Sequence, residues 1–252
     1  MSFKNEPALR VCRPTIHTAP ETPPQVSGRQ ARVGGVRVFS TPVPYLTGWD
    51  MQCRLHEERL LGLQPDTILI LEHQPVYTLG RRTRVGDWGG DEEALRQTGV
   101  DLHQVNRGGS VTFHGPGQVV AYPILKVDRY AAGPRQLVRL FEDIIIRLLD
   151  HWNIIGSRLE GKPGVWVMTP EPLKIAFIGV RIQRGVSLHG LAINVDLDLT
   201  PFHRIHPCGL TDCLVTSMAA LRHTPISMDA IKQVLAQTFV EMLSFSEVSA
   251  EG

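Results

Sequence analysis

The stretch RGGSVTFHGPGQVVAYPIL, residues 107–125, decides how the chain is interpreted. Within residues 107–118, four glycines and one proline surround His114, and the run from 118 to 126 predicts a strand. Glycine lets a backbone approach a ligand closely and offers N–H groups that no side chain shields. The spacing matches neither of the two common glycine-rich nucleotide-binding signatures. These residues alone are compatible with a ligand-binding loop and with a tight hairpin.

Short apolar runs and helical patterns alternate on both sides of this stretch. Strands are predicted at 36–40, 67–73 and 76–80, with a helix between the first two that ends near Gly62. The longest helix is predicted at 133–152, and several short strands separate it from a closing helix at 225–245. Because strands dominate the middle and helices flank them, we expect a mixed α/β (α+β) domain with parallel and antiparallel strand pairs.

Composition and proline content set the expected domain limits. Residues 1–33 carry prolines at 7, 14, 20, 23 and 24 without an apolar period, which predicts a disordered tail before a main domain at 34–245. Residues 246–252 are predicted to be a second tail. The net charge of +1 argues against nucleic-acid binding by overall charge, and no run is long enough for a membrane helix. No secretory signal is apparent, so we expect a cytoplasmic protein. We also expect it to be a monomer.

A second stretch, HRIHPCGLTDC at 203–213, places two histidines and two cysteines in one turn-rich segment. It is compatible with a metal site, with a reactive thiol, or with unrelated side chains. A zinc-stabilised binding module would use His203, His206, Cys208 and Cys213, which are residue types that zinc prefers. Four ligands within eleven residues, with Pro207 among them, are difficult to close into a tetrahedron. Stoichiometric zinc in purified protein would nevertheless establish that alternative.

The glycine-rich stretch resembles the signature segment of the lipoyl(octanoyl) transferases, the enzymes that transfer octanoyl groups from acyl carrier protein to proteins. Four more blocks resemble the same family in the expected order. They are LEHQPVYTLGRR (71–82), KIAFIGVRI (174–182), SLHGLAINV (187–195) and HPCGLTD (206–212). The likeness runs from about residue 34 to 245 and implies the biotin/lipoate protein ligase catalytic fold.

The resemblance implies a reaction and a set of site residues. A cysteine, matched by Cys208, takes an octanoyl or lipoyl group from acyl carrier protein as a thioester, with Lys174 as its activating lysine. The acyl group then passes to a lysine of lipoyl domains in 2-oxoacid dehydrogenase subunits and of the glycine cleavage H protein. The acyl-binding residues implied are Arg107, Gly108, Gly109, Ser110, Val111, Thr112, Phe113, His114, Phe177, Ile178, Gly179, Gly190, Leu191 and Ala192.

The chemistry of these residue types fits those roles. The thiolate is the nucleophilic form of cysteine, and a nearby ammonium stabilises it. Once Cys208 is acylated its charge is gone, so Lys174 is then expected to act as general base for the acceptor amine. Backbone N–H groups near Gly190 or Cys208 are candidates to bind the oxyanion. Aminolysis of a thioester is downhill, so we expect no cofactor, neither ATP nor a metal.

Residues beyond the catalytic pair have supporting roles in this interpretation. An apolar slot for the acyl chain would take its walls from Val111, Phe113, Tyr77, Phe177 and Leu191. His73 and His114 are candidates to position the carbonyl or the carrier's prosthetic arm. The arginines Arg81, Arg82 and Arg84 follow a predicted strand and are candidates to dock the acidic carrier protein.

Two rival enzymes remain. An ATP-dependent lipoate or biotin ligase would share the fold and a lysine near the position of Lys174, but it would not need the cysteine at 208. A related octanoyl transferase or amidotransferase would acylate a cysteine on another loop, and the quoted blocks fit it less well.

Overall fold

The computed structural model describes residues 33–89, 92–206 and 213–245. Residues 1–32 and 246–252 lie outside these ranges, so the two tails stay predictions. The described residues form ten strands: β1 (Gly34–Val38), β2 (Asp66–Leu71), β3 (Val76–Leu79), β4 (Asp101–Gln104), β5 (Val111–His114), β6 (Gln118–Ile124), β7 (Gly156–Leu159), β8 (Lys162–Val167), β9 (Leu173–Gln183) and β10 (Val186–Asn194).

Five α-helices connect or follow these strands in the described part of the chain. They are α1 (Tyr45–Leu60), α2 (Glu92–Arg96), α3 (Pro134–Asp150), α4 (Met218–Arg222) and α5 (Met228–Leu243). Short 3-10 helices occupy Val85–Asp87, Val127–Arg129 and Thr200–Arg204. Pro134 is the first residue of α3, where its missing N–H costs no helical hydrogen bond.

The strands form two sheets. The large sheet has the order β1-β2-β6-β10-β9-β8-β7, and only its β1–β2 pair is parallel. The small sheet has the order β4-β3-β5, with β3 parallel to β4 and antiparallel to β5. The predicted mixed α/β architecture, with parallel and antiparallel pairs and flanking helices, is therefore confirmed.

Helices cover both faces of the large sheet. Apolar side chains of α3 recur every three or four residues, and with α5 they pack against one face around Phe141, Leu148 and Phe239. Helix α1 covers the other face through Trp49 and Leu55. Among the described residues, no helix combines the length and apolar character needed to cross a membrane.

The small sheet carries its own apolar cluster. Tyr77, Phe113 and Phe202 pack together, which joins β3 and β5 to the 3-10 helix Thr200–Arg204. The Tyr77 hydroxyl also donates a hydrogen bond of 3.1 Å to the Pro201 carbonyl. This packing fixes the part of the chain that leads into the cysteine segment at 207–212.

Candidate active site

One cavity takes its walls from both sheets. Its empty volume is about 500 Å³ including the open mouth. Its lining contains every residue of the expected acyl-binding set except Phe113. The structure thus brings together three stretches that are far apart in the sequence: 107–114, 177–179 and 190–192. The other lining residues are Tyr45, Val120, Tyr122 and His189.

The segment at the cavity wall is held by a buried arginine. Arg107 donates hydrogen bonds to the Thr78 carbonyl at 2.6 Å and to the Thr78 hydroxyl at 3.0 and 3.2 Å. Gly108 N–H donates to the Val180 carbonyl at 3.1 Å. A Cβ on Gly179 would lie 2.9 Å from the Gly108 carbonyl oxygen, so this approach requires glycine. Arg107 therefore positions the wall between the two sheets.

His73 lies behind the cavity and is fully buried. Its Nδ1–H donates to the Val43 carbonyl at 2.8 Å, and its Nε2 accepts from the Tyr122 hydroxyl at 2.6 Å. Burial lowers the pKa of His73 to about 4, although the Val43 bond opposes the shift. A neutral His73 thus orients Tyr122, which itself lines the cavity.

His114 begins a chain of side-chain hydrogen bonds that leaves the cavity. Its Nδ1–H donates to Gln118 Oε1 at 2.6 Å, and Gln118 Nε2–H donates to Asn194 Oδ1 at 2.9 Å. Asn194 Nδ2–H donates to the Thr216 carbonyl at 3.0 Å. Burial, with the neighbouring His73 as a smaller cause, lowers the pKa of His114 to about 3. The network connects the cavity floor to the chain that follows the cysteine segment.

His189 adds a third buried histidine to the cavity lining. Its backbone φ is 57°, its ring stacks on Trp49 with centroids 4.9 Å apart, and its Nε2 lies 2.7 Å from Asn106 Oδ1. Burial, then the positive charge of Arg107, holds the pKa of His189 well below its ordinary value. Its position directly before Gly190 places it beside one of the expected acyl-binding residues.

Lys174 lies on β9 with only 1% of its surface exposed. Its Nζ donates to the Pro163 carbonyl at 2.8 Å and lies 4.8 Å from the centroid of the Trp166 ring. The Phe177 ring, which lines the acyl cavity, is 5.1 Å from the same nitrogen. The amine is therefore fixed at the edge of that cavity.

A second, polar cavity adjoins the first. Lys174 lines it together with Arg82, Arg84 and Lys162, and its empty volume is about 910 Å³ including open space. The two cavities share Gly109, Ser110 and Ile178 as lining residues. The two cavities thus adjoin at these shared residues.

Cys208 lies outside the described residues, but both ends of its segment are described. Upstream, the His206 N–H donates to the Asp87 carbonyl at 2.6 Å. Downstream, Lys174 N–H donates to the Leu214 carbonyl at 2.8 Å, and Thr216 N–H donates to the Lys174 carbonyl at 2.9 Å. The chain thus leaves the segment paired with the lysine that the sequence predicted as its partner.

Three expected site residues have other surroundings than the sequence suggested. Phe113 lies directly opposite Tyr77 in the β3–β5 pair and packs with it in the apolar cluster of the small sheet, so it does not line the acyl cavity. Tyr77 bonds Pro201 and does not line the cavity. His73 does not line the cavity itself, and it contacts the lining residues Tyr122, Tyr45 and His114 from behind.

The structure describes the arginine run and three of the four zinc candidates. Arg81, Arg82 and Arg84 are all exposed, and Arg82 and Arg84 line the polar cavity whereas Arg81 does not. Of the zinc candidates, His203, His206 and Cys213 are described. Within the described ranges, no group of three or more His, Cys, Asp and Glu side chains is arranged to hold a metal ion.

Sequence reasoning missed several residues of the site. Tyr45 and Tyr122 line the cavity, and Gln118 and Asn194 connect it to Thr216. Tyr122, Gln118 and Asn194 lie inside the quoted sequence blocks, but the sequence predicted no role for them. The spacing of His114 and Gln118 on neighbouring strands of a glycine turn is a signal that could have predicted their contact. Tyr45 lies on a distant helix, and only the fold brings it to the cavity.

Comparison with known proteins identifies the family of the chain. The family model of the lipoyl protein ligase A/B catalytic domain matches residues 44–240. An octanoyltransferase of Thermobifida fusca is 44% identical over 189 residues, 71% of this chain and 76% of that protein. An octanoyltransferase of Syntrophotalea carbinolica is 38% identical over 201 residues, 80% of this chain and 90% of that protein.

Solved structures show the same fold at low identity. A bipartite lipoate protein ligase of Thermoplasma acidophilum superposes with a TM-score of 0.66 at 15% identity, covering 87% of this chain and 88% of that one. A lipoate-protein ligase A bound with ATP gives a TM-score of 0.64 at 14% identity, covering 87% and 90%. The chain therefore belongs to the lipoyl protein ligase A/B catalytic-domain family and is an acyltransferase of its octanoyltransferase group.

Proposed function

We propose that this octanoyltransferase carries its acyl group on Cys208, with octanoyl-acyl carrier protein as donor and a lysine of lipoyl domains as acceptor. The acceptors would be the lipoyl domains of 2-oxoacid dehydrogenase subunits and the glycine cleavage H protein. The observation that supports this most is the placement of both ends of the cysteine segment. His206 is bonded to Asp87 and Val215 is paired with Lys174, while Asp87 and Lys174 line one cavity.

Covalent geometry limits where the thiol can be. Cys208 follows His206 by two positions, so their Cα atoms are at most about 7 Å apart. A chain that starts at the Asp87 carbonyl and returns to Lys174 therefore keeps the cysteine near the polar cavity. That cavity adjoins the apolar one through Ser110 and Ile178, so a thioester there has a slot for its acyl chain.

In the proposed reaction, Lys174 gives up one proton in the first half-reaction and regains one in the second. The Cys208 thiolate attacks the donor thioester, the carrier thiolate leaves, and the Lys174 ammonium supplies its proton. Lys174, now neutral, accepts a proton from the acceptor amine as that amine attacks the Cys208 thioester. The amide forms, the Cys208 thiolate leaves, and the starting ion pair of Lys174 and Cys208 is restored.

The surroundings of Lys174 suit this proton exchange. The Pro163 carbonyl accepts one N–H, and the rings of Trp166 and Phe177 lie with their centroids 4.8 and 5.1 Å from the nitrogen. Because the Lys174 side chain is buried, it keeps one position, and the amine does not have to be repositioned between the two half-reactions. Backbone N–H groups near Gly190 are candidates to stabilise the oxyanion.

Intact mass spectrometry after incubation with octanoyl-acyl carrier protein tests the proposal. We expect a gain of one octanoyl group that is lost in Cys208→Ala, kept in the control Cys213→Ala, and transferred to an added lipoyl domain. An adduct that persists in Cys208→Ala would contradict the thioester at this position. Acyl transfer that requires ATP and free acid would instead indicate a ligase.

The donor protein is proposed to approach over Arg82 and Arg84. Acyl carrier proteins are acidic and their prosthetic arm carries a phosphate, which matches the arginines that line the polar cavity. Replacing both arginines with alanine should raise KM for the carrier and weaken its dependence on salt. Arg135→Ala, an exposed arginine on α3, is the control. An unchanged KM in the double variant would refute the docking site.

A further inference from the structure

Asp87 connects three parts of the chain that surround the proposed nucleophile. It ends the 3-10 helix Val85–Asp87, and only 9% of its surface is exposed. Its Oδ2 accepts a hydrogen bond from the Ser110 hydroxyl and another from the Arg84 N–H at 2.9 Å. Its backbone carbonyl accepts from the His206 N–H at 2.6 Å. One residue thus holds the glycine-rich wall, an arginine of the docking run and the entry to the cysteine segment.

Each of these three contacts reaches the site. Ser110 lines both the apolar and the polar cavity, and Arg84 lines the polar one. His206 precedes the proposed nucleophile by two residues. No sequence motif singled out Asp87, because its partners are separated from it by 3, 23 and 119 positions.

We propose that Asp87 is a positioning residue that holds the start of the cysteine segment in register with the acyl-binding wall. This inference rests on the proposed role of Cys208 as the acylated residue. A carboxylate has only acceptor atoms and bonds donors more strongly than a neutral group does, so it can tie Ser110 and Arg84 to one point. The hydrogen bond from the His206 N–H to the Asp87 carbonyl then fixes His206 relative to the same residue.

Loss of Asp87 is expected to misplace the Cys208 thiol without changing its intrinsic reactivity. Attack on a bound acyl group requires the thiol within about 3–3.5 Å of the carbonyl carbon, and a shift of about 1 Å can cost about 100-fold in rate. Alkylation by a small reagent has no such requirement, because the reagent diffuses to the thiol wherever it stands. Loss of Asp87 should therefore separate these two rates.

The test compares the full-length chain with Asp87→Ala, Asp87→Asn and Asp128→Ala. Asp128 is an exposed aspartate that serves as control. Acyl-enzyme formation from saturating octanoyl-acyl carrier protein is measured in a single turnover. Alkylation of Cys208 by iodoacetamide is followed separately by peptide mass, and thermal unfolding monitors folding.

We expect Asp87→Ala to slow acyl-enzyme formation by about 100-fold while alkylation of Cys208 stays near the parent rate. Asp87→Asn keeps an acceptor oxygen in the same place and should lose less, and Asp128→Ala should lose nothing. Combining Asp87→Ala with Ser110→Ala should give less than the sum of the two effects, because both remove the same contact.

Acylation of Asp87→Ala at the parent rate would overturn the inference, as would a parallel fall in both acylation and alkylation. Failure of the proposed function is distinguishable, since it would appear in the parent chain as the absence of any octanoyl group on Cys208. The asparagine variant preserves shape, so it decides the matter if the alanine variant does not fold. Slower acylation of Asp87→Asn with alkylation at the parent rate then supports the inference, whereas acylation at the parent rate, or acylation and alkylation that are equally slowed, refutes it.

Discussion

The Nζ of Lys174 lies 2.8 Å from the carbonyl oxygen of Pro163, and a side chain of helix α3 holds the N–H of the same peptide unit. The next residue, Gly164, donates its N–H to Glu142 Oε1 at 3.1 Å. Arg158 pairs with the other oxygen of Glu142 at 3.0 Å. The position of the proposed catalytic amine therefore depends on a helix that contacts neither cavity.

Lys174→Ala should reduce octanoyl transfer by about 10²–10⁴-fold, the usual contribution of a positioned acid–base group. The effect should appear in both half-reactions, because the amine supplies a proton in the first and accepts one in the second. Rapid-quench measurements of acyl-enzyme formation and of transfer to a lipoyl domain separate them. Lys126→Ala, a partly exposed lysine elsewhere, is the control. Equal rates for Lys174→Ala and the parent would exclude the amine from the chemistry.

Gly164→Ala should disturb the same amine through the backbone. A Cβ at Gly164 would lie 2.4 Å from the Ala176 carbonyl oxygen and 3.0 Å from Lys174 Cε, and its φ is +114°. Gly161→Ala is the matched control, because Gly161 also has a positive φ but no atom within 4 Å of the added carbon.

We expect Gly161→Ala to cost about 1 kcal/mol of unfolding free energy from backbone strain alone. Gly164→Ala should cost about 3 kcal/mol or more and also slow acyl transfer, since strain and clash add. Urea unfolding and steady-state kinetics measure the two quantities. Similar losses for both variants would show that the contact with β9 is unimportant.

Thr112→Val should stabilise the protein. Thr112 lines the acyl cavity, and its buried hydroxyl has no hydrogen-bond partner among the described residues. Valine has nearly the same shape and removes a buried polar atom, so the free energy of unfolding should rise by about 1 kcal/mol. Thermal unfolding tests this, and an unchanged KM for the octanoyl donor would show that the cavity keeps its shape. A lower melting temperature would mean that the hydroxyl is satisfied in solution.

The stability of the fold should fall as pH drops below about 6.5. Burial lowers the pKa of His73 to about 4 and that of His114 to about 3, whereas both side chains titrate near 6.5 when unfolded. Between these values the unfolded chain binds more protons, so stability rises with pH through this window and is fully present above it. Each unit of pKa difference corresponds to about 1.4 kcal/mol.

Melting temperatures recorded from pH 4 to 7 test this dependence. Replacing His73 with glutamine should flatten the curve, because one of the buried bases is gone. Replacing the exposed His151 with glutamine should leave its slope unchanged. A parent protein whose melting temperature is constant over this range would contradict the buried, neutral state of both histidines.

Much of the fold follows from local patterns. The apolar runs at 67–73 and 118–126 became adjacent strands β2 and β6, and Pro134 begins the longest helix as its first-turn preference predicts. The order of the strands in the sheets could not be predicted, because pairing depends on contacts such as β6 with β10, about 70 residues apart.

For the site, the sequence alone determined which segments carry its chemistry: the glycine-rich stretch, the strand with Lys174 and the cysteine segment. Tertiary structure decided how they meet. It placed Phe113 against Tyr77 in the cluster of the small sheet and away from the acyl cavity, and it brought Tyr45 and Tyr122 into the lining. It also placed Asp87 between Ser110 and His206. Hydrogen bonds between distant residues depend on a few ångströms of packing, which no spacing along the chain records.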